Sequence, residues 1–159
     1  MTRAAIALSK VFLVLVALAG VFVQVVLLPI QAAESAAEFP EVEFLRIPIL
    51  VLGILFVACG QVVVVCVWAL LSLVRRDAIF STRAFKYVDT MIASLALATA
   101  IVVAILLILQ LTADAGPPGL VVLALGVATA CAALALVLIV MRRLLAKASE
   151  QAQYLDEVV

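Results

Sequence analysis

Four long stretches without a charged residue constrain this chain more than any other feature. They cover residues 11–33, 47–74, 90–113 and 115–141 and hold 23, 28, 24 and 27 residues. Each is longer than the roughly 20 apolar residues that cross about 30 Å of hydrocarbon as a helix. Only 13% of the residues are charged and 69% are hydrophobic, which also excludes an ordinary soluble domain. The sequence therefore predicts an all-α integral membrane protein.

The predicted fold is a single membrane domain, residues 1–159, built as an up-down bundle of four transmembrane helices. The four spans and the C-terminal helix extension that follows them are placed at about residues 11–30, 47–74, 88–111, 120–141 and 142–159. Because the apolar stretch of the first span is long for a signal peptide, we expect this span to be retained.

The distribution of Lys and Arg predicts the orientation, because positively charged flanks stay in the cytoplasm during insertion. Nine of the ten Lys and Arg residues flank the predicted inner ends of the spans, and only Arg46 lies on the other side. Both termini are therefore predicted to be cytoplasmic. The first outer loop is acidic and carries Glu34, Glu38, Glu41 and Glu43. We interpret it as a solvated loop, with a cation site as the alternative, since its spacing does not resemble a calcium loop.

Small residues recur at four-residue spacing in the last two spans. They are Ala96, Ala100 and Ala104 in the third span, and Ala124, Ala128 and Ala132 with Gly126 and Ala130 in the fourth. Such spacing lets two helix backbones approach closely in a membrane. The turn between these spans is short and rich in Pro and Gly. We therefore expect spans three and four to pack as a tight antiparallel pair.

The polar side chains inside the spans are few and uncharged. They are Gln24, Gln61, Gln110, Ser94, Thr99 and Thr129. Interhelical hydrogen bonding is the commonest role of such residues, at about 0.6 kcal/mol each. The alternative is a polar cavity, lined by the three glutamines, that binds a small molecule or a lipid headgroup.

The residue types that usually carry catalysis or bind metals are scarce. The chain has no His, and its charge-free runs contain no Asp or Glu. Cys59, Cys66 and Cys131 fall inside the spans, where we interpret them as small apolar packing residues. No cofactor, metal or direct nucleic-acid binding is predicted, and an enzyme is disfavoured.

The connection between spans two and three is predicted to be an ordered, basic inner corner. Its cations are Arg75, Arg76, Arg83 and Lys86. Ser81 fits the N-cap of span three, and Phe80 with Phe85 fits a hydrophobic staple around it. Anionic lipid headgroups would favour the cluster by about 1 kcal/mol per charge.

The C-terminal tail is predicted to be a charged helix with one apolar stripe. The stripe residues alternate three and four apart and are Leu145, Ala148, Ala152, Leu155 and Val159. Because an isolated helix of about four turns is marginal in water, the tail should lie against lipid, the inner corner or a protein partner.

The corner and the tail together resemble a known family. Ile79-Phe80-Ser81 followed by Ala84-Phe85, then Met141-Arg142 and the ending Leu155-Asp156-Glu157-Val158-Val159, is similar to the bacterial four-helix membrane proteins grouped as domain of unknown function 2975. The resemblance implies a bacterial plasma membrane and a soluble helix-turn-helix regulator as a possible partner. It assigns no catalytic or binding residue. Arg76-Asp77 departs from the family, which often has Gly there.

Three functional hypotheses remain open from the sequence. The first is a non-enzymatic regulatory or protein-interaction protein that uses the inner corner and the tail. The second is a small-molecule or lipid-binding transport accessory that uses a polar intramembrane cavity. The third is a structural subunit of a larger membrane complex or a homo-oligomer.

Overall fold

The computed structural model describes residues 3–38, 40–74, 82–112 and 118–157, and near some helix ends, including residues 82–83 and 149–157, it describes the backbone alone. Every regular element in these ranges is helical. In chain order they are α1 (Arg3–Phe22), a π-helical turn (Val23–Leu27), α2 (Leu28–Glu38), a 3-10 helix (Pro40–Leu45), α3 (Arg46–Val74), α4 (Thr82–Thr112) and α5 (Pro118–Glu157).

Four helical stretches within the described residues are long and apolar enough to cross a membrane. They are Ile6–Glu34, Glu43–Leu73, Ala84–Leu111 and Val121–Ala148. The prediction of an all-helical protein with four such helices is confirmed. The sidedness of the two termini, and the cytoplasmic position of the end of α5, stay predictions.

The first helical stretch is longer than the predicted span 11–30, since helical structure runs from Arg3 to Glu38. The π-helical turn within it has a cause in the sequence. Pro29 lacks an N–H, and its ring would clash with the carbonyl four residues earlier. The turn just before Pro29 is wider, and the Leu28 N–H bonds the Val23 carbonyl five residues back. The helix therefore passes the proline with a local change of pitch instead of ending there.

α3, α4 and α5 form the packed part of the molecule, because α4 contacts both α3 and α5 extensively. One buried cluster consists of Cys59, Ala98 and Ile101. A second joins Val102 and Leu106 of α4 to Ala128 of α5. Successive helices run antiparallel, since the start of α4 meets the middle of α5 at an Asp89–Arg142 ion pair and the later part of α4 meets Ala128.

The small residues of α4 that contact its neighbours are not the predicted ones. Ala96 and Ala100 are exposed and Ala104 is half-buried, whereas Ala98 is only 4% exposed. The stripe predicted on α4 is therefore wrong for Ala96 and Ala100, which do not lie on the buried face of the helix. On α5 the prediction is nearer, because Ala128 is buried and Ala124 packs against the same cluster.

α1 and α2 lie at the edge of this arrangement and pack on α3 alone among the described helices, apart from sparse contacts. About half of the large apolar side chains that the structure describes are exposed, for example Leu111 at 86% and Leu8 at 73%. Small residues such as Ala84 and Cys66 hold about half of the buried positions among the described residues. This distribution suits a surface surrounded by lipid, where close helix packing is favoured by small side chains.

Candidate functional site

Gln24 and Gln61 meet between the first helical stretch and α3. The Gln61 Nε2 donates to Gln24 Oε1 at 3.1 Å, and the Gln24 Nε2 donates to the Ile54 carbonyl at 3.1 Å. Gln24 lies inside the π-helical turn, and both side chains are half-buried. We call Gln24 and Gln61 the glutamine pair. Their two hydrogen bonds fix the first helical stretch against α3.

Glycines allow the helices to come close on either side of this pair. A Cβ at Gly20 would lie 3.1 Å from the Nε2 of Gln61, so the absence of a side chain there leaves room for the glutamine. A Cβ at Gly53 would lie 3.4 Å from a methyl of Leu28. The glutamine pair therefore sits within a close helix–helix contact.

Gln110 does not join the pair. It is exposed near the end of α4, and no hydrogen bond among the described residues connects it to Gln24 or Gln61. The structure thus brings two of the three candidate glutamines together and leaves the third apart.

Beside Gln61 lies a cavity of about 290 Å³ with walls from α1, α3, α4 and α5. Its lining residues are Val16, Gly20, Phe56, Val57, Cys59, Gly60, Gln61, Val64, Leu95, Ala98 and Cys131. Apart from the amide of Gln61, this lining is apolar or made of thiols. The cavity is centred on residues 56–64 of α3, the middle of that helix. The predicted polar cavity of three glutamines is therefore replaced by an apolar cavity with one glutamine in its wall.

The cysteines are placed as packing residues, as the sequence predicts. Cys59 belongs to a buried cluster against which Cys131 packs, and Cys66 is 4% exposed. All three are free thiols, and the described residues contain no group of three or more side chains suited to hold a metal ion.

In the acidic segment, Glu34 and Glu43 are exposed, while the side chains of Glu38 and Glu41 lie outside the described ones.

Lys10 makes a second joint between α1 and α3, near the end of the bundle that carries most of the basic residues. We call this the basic end, defined by Lys10, Lys86 and Arg142. The Lys10 Nζ donates to Ser72 Oγ at 2.9 Å and lies 5.1 Å from the ring centroid of Trp68. The Ser72 hydroxyl in turn donates to the Trp68 carbonyl at 3.0 Å. Only the presence of Trp68 near basic residues pointed to this joint in the sequence.

Asp89 and Arg142 connect α4 to α5 at the basic end. The Arg142 Nη2 donates to Asp89 Oδ2 at 2.9 Å, and its Nε faces the other carboxylate oxygen. The hydrogen bond joins two charged groups, which makes it stronger than a bond between neutral ones. The side chains remain 40% and 48% exposed. Sequence reasoning missed this pair, although both residues lie near the inner ends of the predicted spans three and four, where opposite charges can meet.

The hydroxyl side chains divide into two groups. Ser94 is buried and donates to the Cys59 carbonyl across α4 and α3 at 2.8 Å. Thr99 and Thr129 donate instead to the carbonyls four residues earlier in their own helices. Interhelical bonding is therefore confirmed for Ser94 and is wrong for the two threonines, whose hydroxyls find a partner within the same turn.

The candidate contacts of the basic corner and tail are only partly described. Lys86 is exposed, and its carbonyl accepts a bond from Thr90 at 2.9 Å. α4 begins at Thr82, next to the predicted N-cap Ser81. Arg75, Arg76, Phe80 and Ser81 lie outside the described residues, and Arg83 is described by its backbone alone.

In the tail, Leu145 is half-buried and Ala148 is exposed. Ala152 and Leu155 lie in the helical part of α5, but their side chains are outside the described ones. The predicted stripe therefore has a helical backbone, and its contacts stay a prediction.

Comparison with known proteins places the chain in a family. Residues 30–159, which include α3, α4 and α5, match the family described as "Protein of unknown function (DUF2975)". No curated protein and no solved structure matches the chain. The match covers most of the chain and agrees with the resemblance carried by the Ile79-Phe80-Ser81 corner and the acidic tail. The chain therefore belongs to the DUF2975 family.

Proposed function

We propose that this protein is a non-enzymatic protein of the bacterial plasma membrane that acts in regulation by binding a soluble cytoplasmic protein. The binding surface would combine the basic corner from Arg75 to Lys86 with the C-terminal part of α5. A helix-turn-helix regulator is the partner that we propose, on the basis of family resemblance alone.

The observation that carries this proposal is the continuity of α5. The helix has 40 residues, from Pro118 to Glu157, and is therefore about 60 Å long at 1.5 Å per residue. The hydrocarbon of a bilayer is about 30 Å thick, so a helix of this length has turns to spare beyond it. Arg142 and Arg143 mark the point where charged residues begin. The turns after that point offer an apolar stripe on an otherwise polar helix, a pattern suited to docking in a groove.

The ion pair between Asp89 and Arg142 supports the same proposal. It holds α5 to the start of α4 at the point where α5 becomes polar. The basic corner precedes α4, so the corner and the tail start from neighbouring points. Two segments anchored in this way could present one combined surface. Anionic headgroups would be attracted to the same cations, because each charge near an acidic leaflet contributes about 1 kcal/mol.

The test is affinity purification of the full chain and of a version ending at Arg143, with bound proteins identified by mass spectrometry. A pair of matched variants sharpens it. Leu155→Glu places a charge on the stripe, whereas Tyr154→Glu places the same charge one residue away, on a different helix face. We expect a DNA-binding protein to be retained by the full chain and by Tyr154→Glu, and lost from the truncated chain and from Leu155→Glu. A partner that the truncated chain holds equally well would overturn the role of the tail.

A further inference from the structure

We propose that the cavity between α1, α3, α4 and α5 binds one uncharged, hydroxyl-bearing apolar molecule, with Gln61 as its hydrogen-bonding partner. This site differs from the three-glutamine cavity expected from the sequence, because a single amide lies in an otherwise apolar wall. It is also independent of the tail interaction proposed above.

The size and position of the cavity limit the ligand. A volume of about 290 Å³ holds about ten non-hydrogen atoms, if each takes the roughly 30 Å³ that a water molecule occupies in the liquid. Val16 and Gly20 of α1 form one edge, and Cys131 of α5 forms another. Because the described parts of α1 and α5 contact each other sparsely at most, the cleft between them gives a route from the bilayer. An alkyl or isoprenoid chain of moderate length fits this space.

The hydrogen-bonding capacity of Gln61 determines the polar group of the ligand. A glutamine amide has two N–H donors and a carbonyl acceptor. Gln61 donates one hydrogen bond, to Gln24, and in the part of the chain that the structure describes its Oε1 has no partner. A hydroxyl both donates and accepts, so it can satisfy this oxygen and receive the remaining N–H. Leaving such groups unpaired in an apolar setting costs free energy, which favours a ligand that satisfies them.

Charged ligands and trapped water fit the cavity less well. Its lining contains no Asp, Glu, Lys or Arg, so a charge would lie in the middle of α3 without a counter-charge. A buried water needs two to four polar partners, and the lining side chains offer one amide. An uncharged, mainly apolar molecule with one hydroxyl therefore matches both the apolar walls and the single amide of the lining.

Gly60 gives a direct way to fill the site. A Cβ added to Gly60 would meet no atom within 4 Å, and Gly60 belongs to the cavity lining. Gly126 of α5 has the same open space around its position but is not part of the lining. Leucine at either position adds the same bulk and raises helix propensity equally. Gly126→Leu is thus a matched control for Gly60→Leu.

The experiment uses the full chain in lipid nanodiscs with a diazirine-bearing analogue of decan-1-ol. After irradiation, mass spectrometry maps the labelled residues. We expect labelling within residues 16–20, 56–64 and around Cys131. Unlabelled decan-1-ol should compete at least about threefold better than decane, since a single intramembrane hydrogen bond already predicts that ratio.

Three variants decide the outcome. Gly60→Leu should reduce labelling of these segments about tenfold, because the added side chain occupies space that the ligand needs, whereas Gly126→Leu should leave it unchanged. Gln61→Leu keeps a side chain of similar size and should remove the advantage of decan-1-ol over decane. Labelling spread over all lipid-facing residues, or unaltered in Gly60→Leu, would overturn the site. Equal competition by decane in the unmodified protein would overturn the hydroxyl assignment.

Discussion

α3 makes two very different contacts, one with the first helical stretch and one with α4. Against the first helical stretch it uses side-chain hydrogen bonds, from the glutamine pair to the Lys10–Ser72 contact, set among glycines. Against α4 it uses close packing of Cys59 with Ala98 and Ile101, and the Ser94 hydrogen bond lies within this packing. The first contact has discrete polar joints, while the second is continuous and mainly apolar. The comparison suggests that α1 is an attached edge helix, whereas α3, α4 and α5 form the packed unit.

The largest effect is expected from overfilling the packed unit. Ala98→Leu should lower the free energy of unfolding by about 1–3 kcal/mol, because Ala98 is 4% exposed and packs with Cys59 and Ile101, which leaves only the cavity side for a larger side chain. Ala100→Leu is the control, since Ala100 is exposed on the same helix. SDS titration of the protein in mixed micelles measures both. A larger loss in Ala100→Leu would mean that the wrong face of α4 has been assigned to the core.

Breaking the polar contact should have a smaller and more local effect. Gln24→Leu removes both hydrogen bonds of the glutamine pair and should cost about 1 kcal/mol, near twice the average for one such bond. Hydrogen–deuterium exchange should increase in the first helical stretch and change little in α4. Gln110→Leu provides the control, because Gln110 is exposed and apart from the pair. Equal loss of protection in α4 would contradict the description of α1 as an edge helix.

Ser94 offers a smaller test on the packed side of α3. Ser94→Ala removes the bond to the Cys59 carbonyl and should cost about 0.6 kcal/mol in the same unfolding titration. Thr99→Val should lower the free energy of unfolding by less, since the Thr99 hydroxyl donates to a carbonyl of its own helix and does not join α4 to another helix. If Thr99→Val proved the more damaging substitution, interhelical hydrogen bonding would not distinguish these positions.

The smallest effect is expected at the basic end. A double-mutant cycle of Asp89→Asn and Arg142→Gln should give a coupling free energy below about 0.5 kcal/mol, because both side chains are substantially exposed. The coupling should decrease at high salt, as screening predicts. A coupling free energy that did not change with salt concentration would indicate that the pair is shielded from water in the membrane.

The sequence predicts the helices of this protein better than their contacts. The charge-free run from residue 47 to 74 coincides with α3, because membrane crossing makes absence of charge and helix length go together. The charge-free runs do not reveal which face of a helix is buried, as α4 shows. Lipid and protein neighbours are both apolar, so Ala96 and Ala98 look equally suited to an interface. Hydrophobic periodicity, which identifies the core face of a soluble helix, is therefore weak here.

The candidate site shows the same limit. Gln24 and Gln61 stand out as polar residues in apolar runs, yet their pairing depends on the rotation and depth of two helices. Gln110 looks equivalent in sequence and is placed elsewhere. The sequence shows that Asp89 and Arg142 lie near the ends of the apolar runs. Predicting that they pair requires the antiparallel register of α4 and α5. The sequence therefore identifies the polar residues of the spans, but only the structure shows which of them lie together.

The wide turn at Val23–Leu27 has a consequence for the phase of the first helix. It closes on a bond five residues back and so contains one residue more than an α-helical turn. Each α-helical residue turns the chain by about 100°, since 3.6 residues make one turn. Replacing Pro29 and closing the turn into regular α-helix with the same number of residues would rotate the earlier part of the helix by about that angle. Lys10 and Gly20 would then face away from Ser72 and Gln61. The wide turn thus absorbs one extra residue and keeps two distant contacts of one helix on the same side.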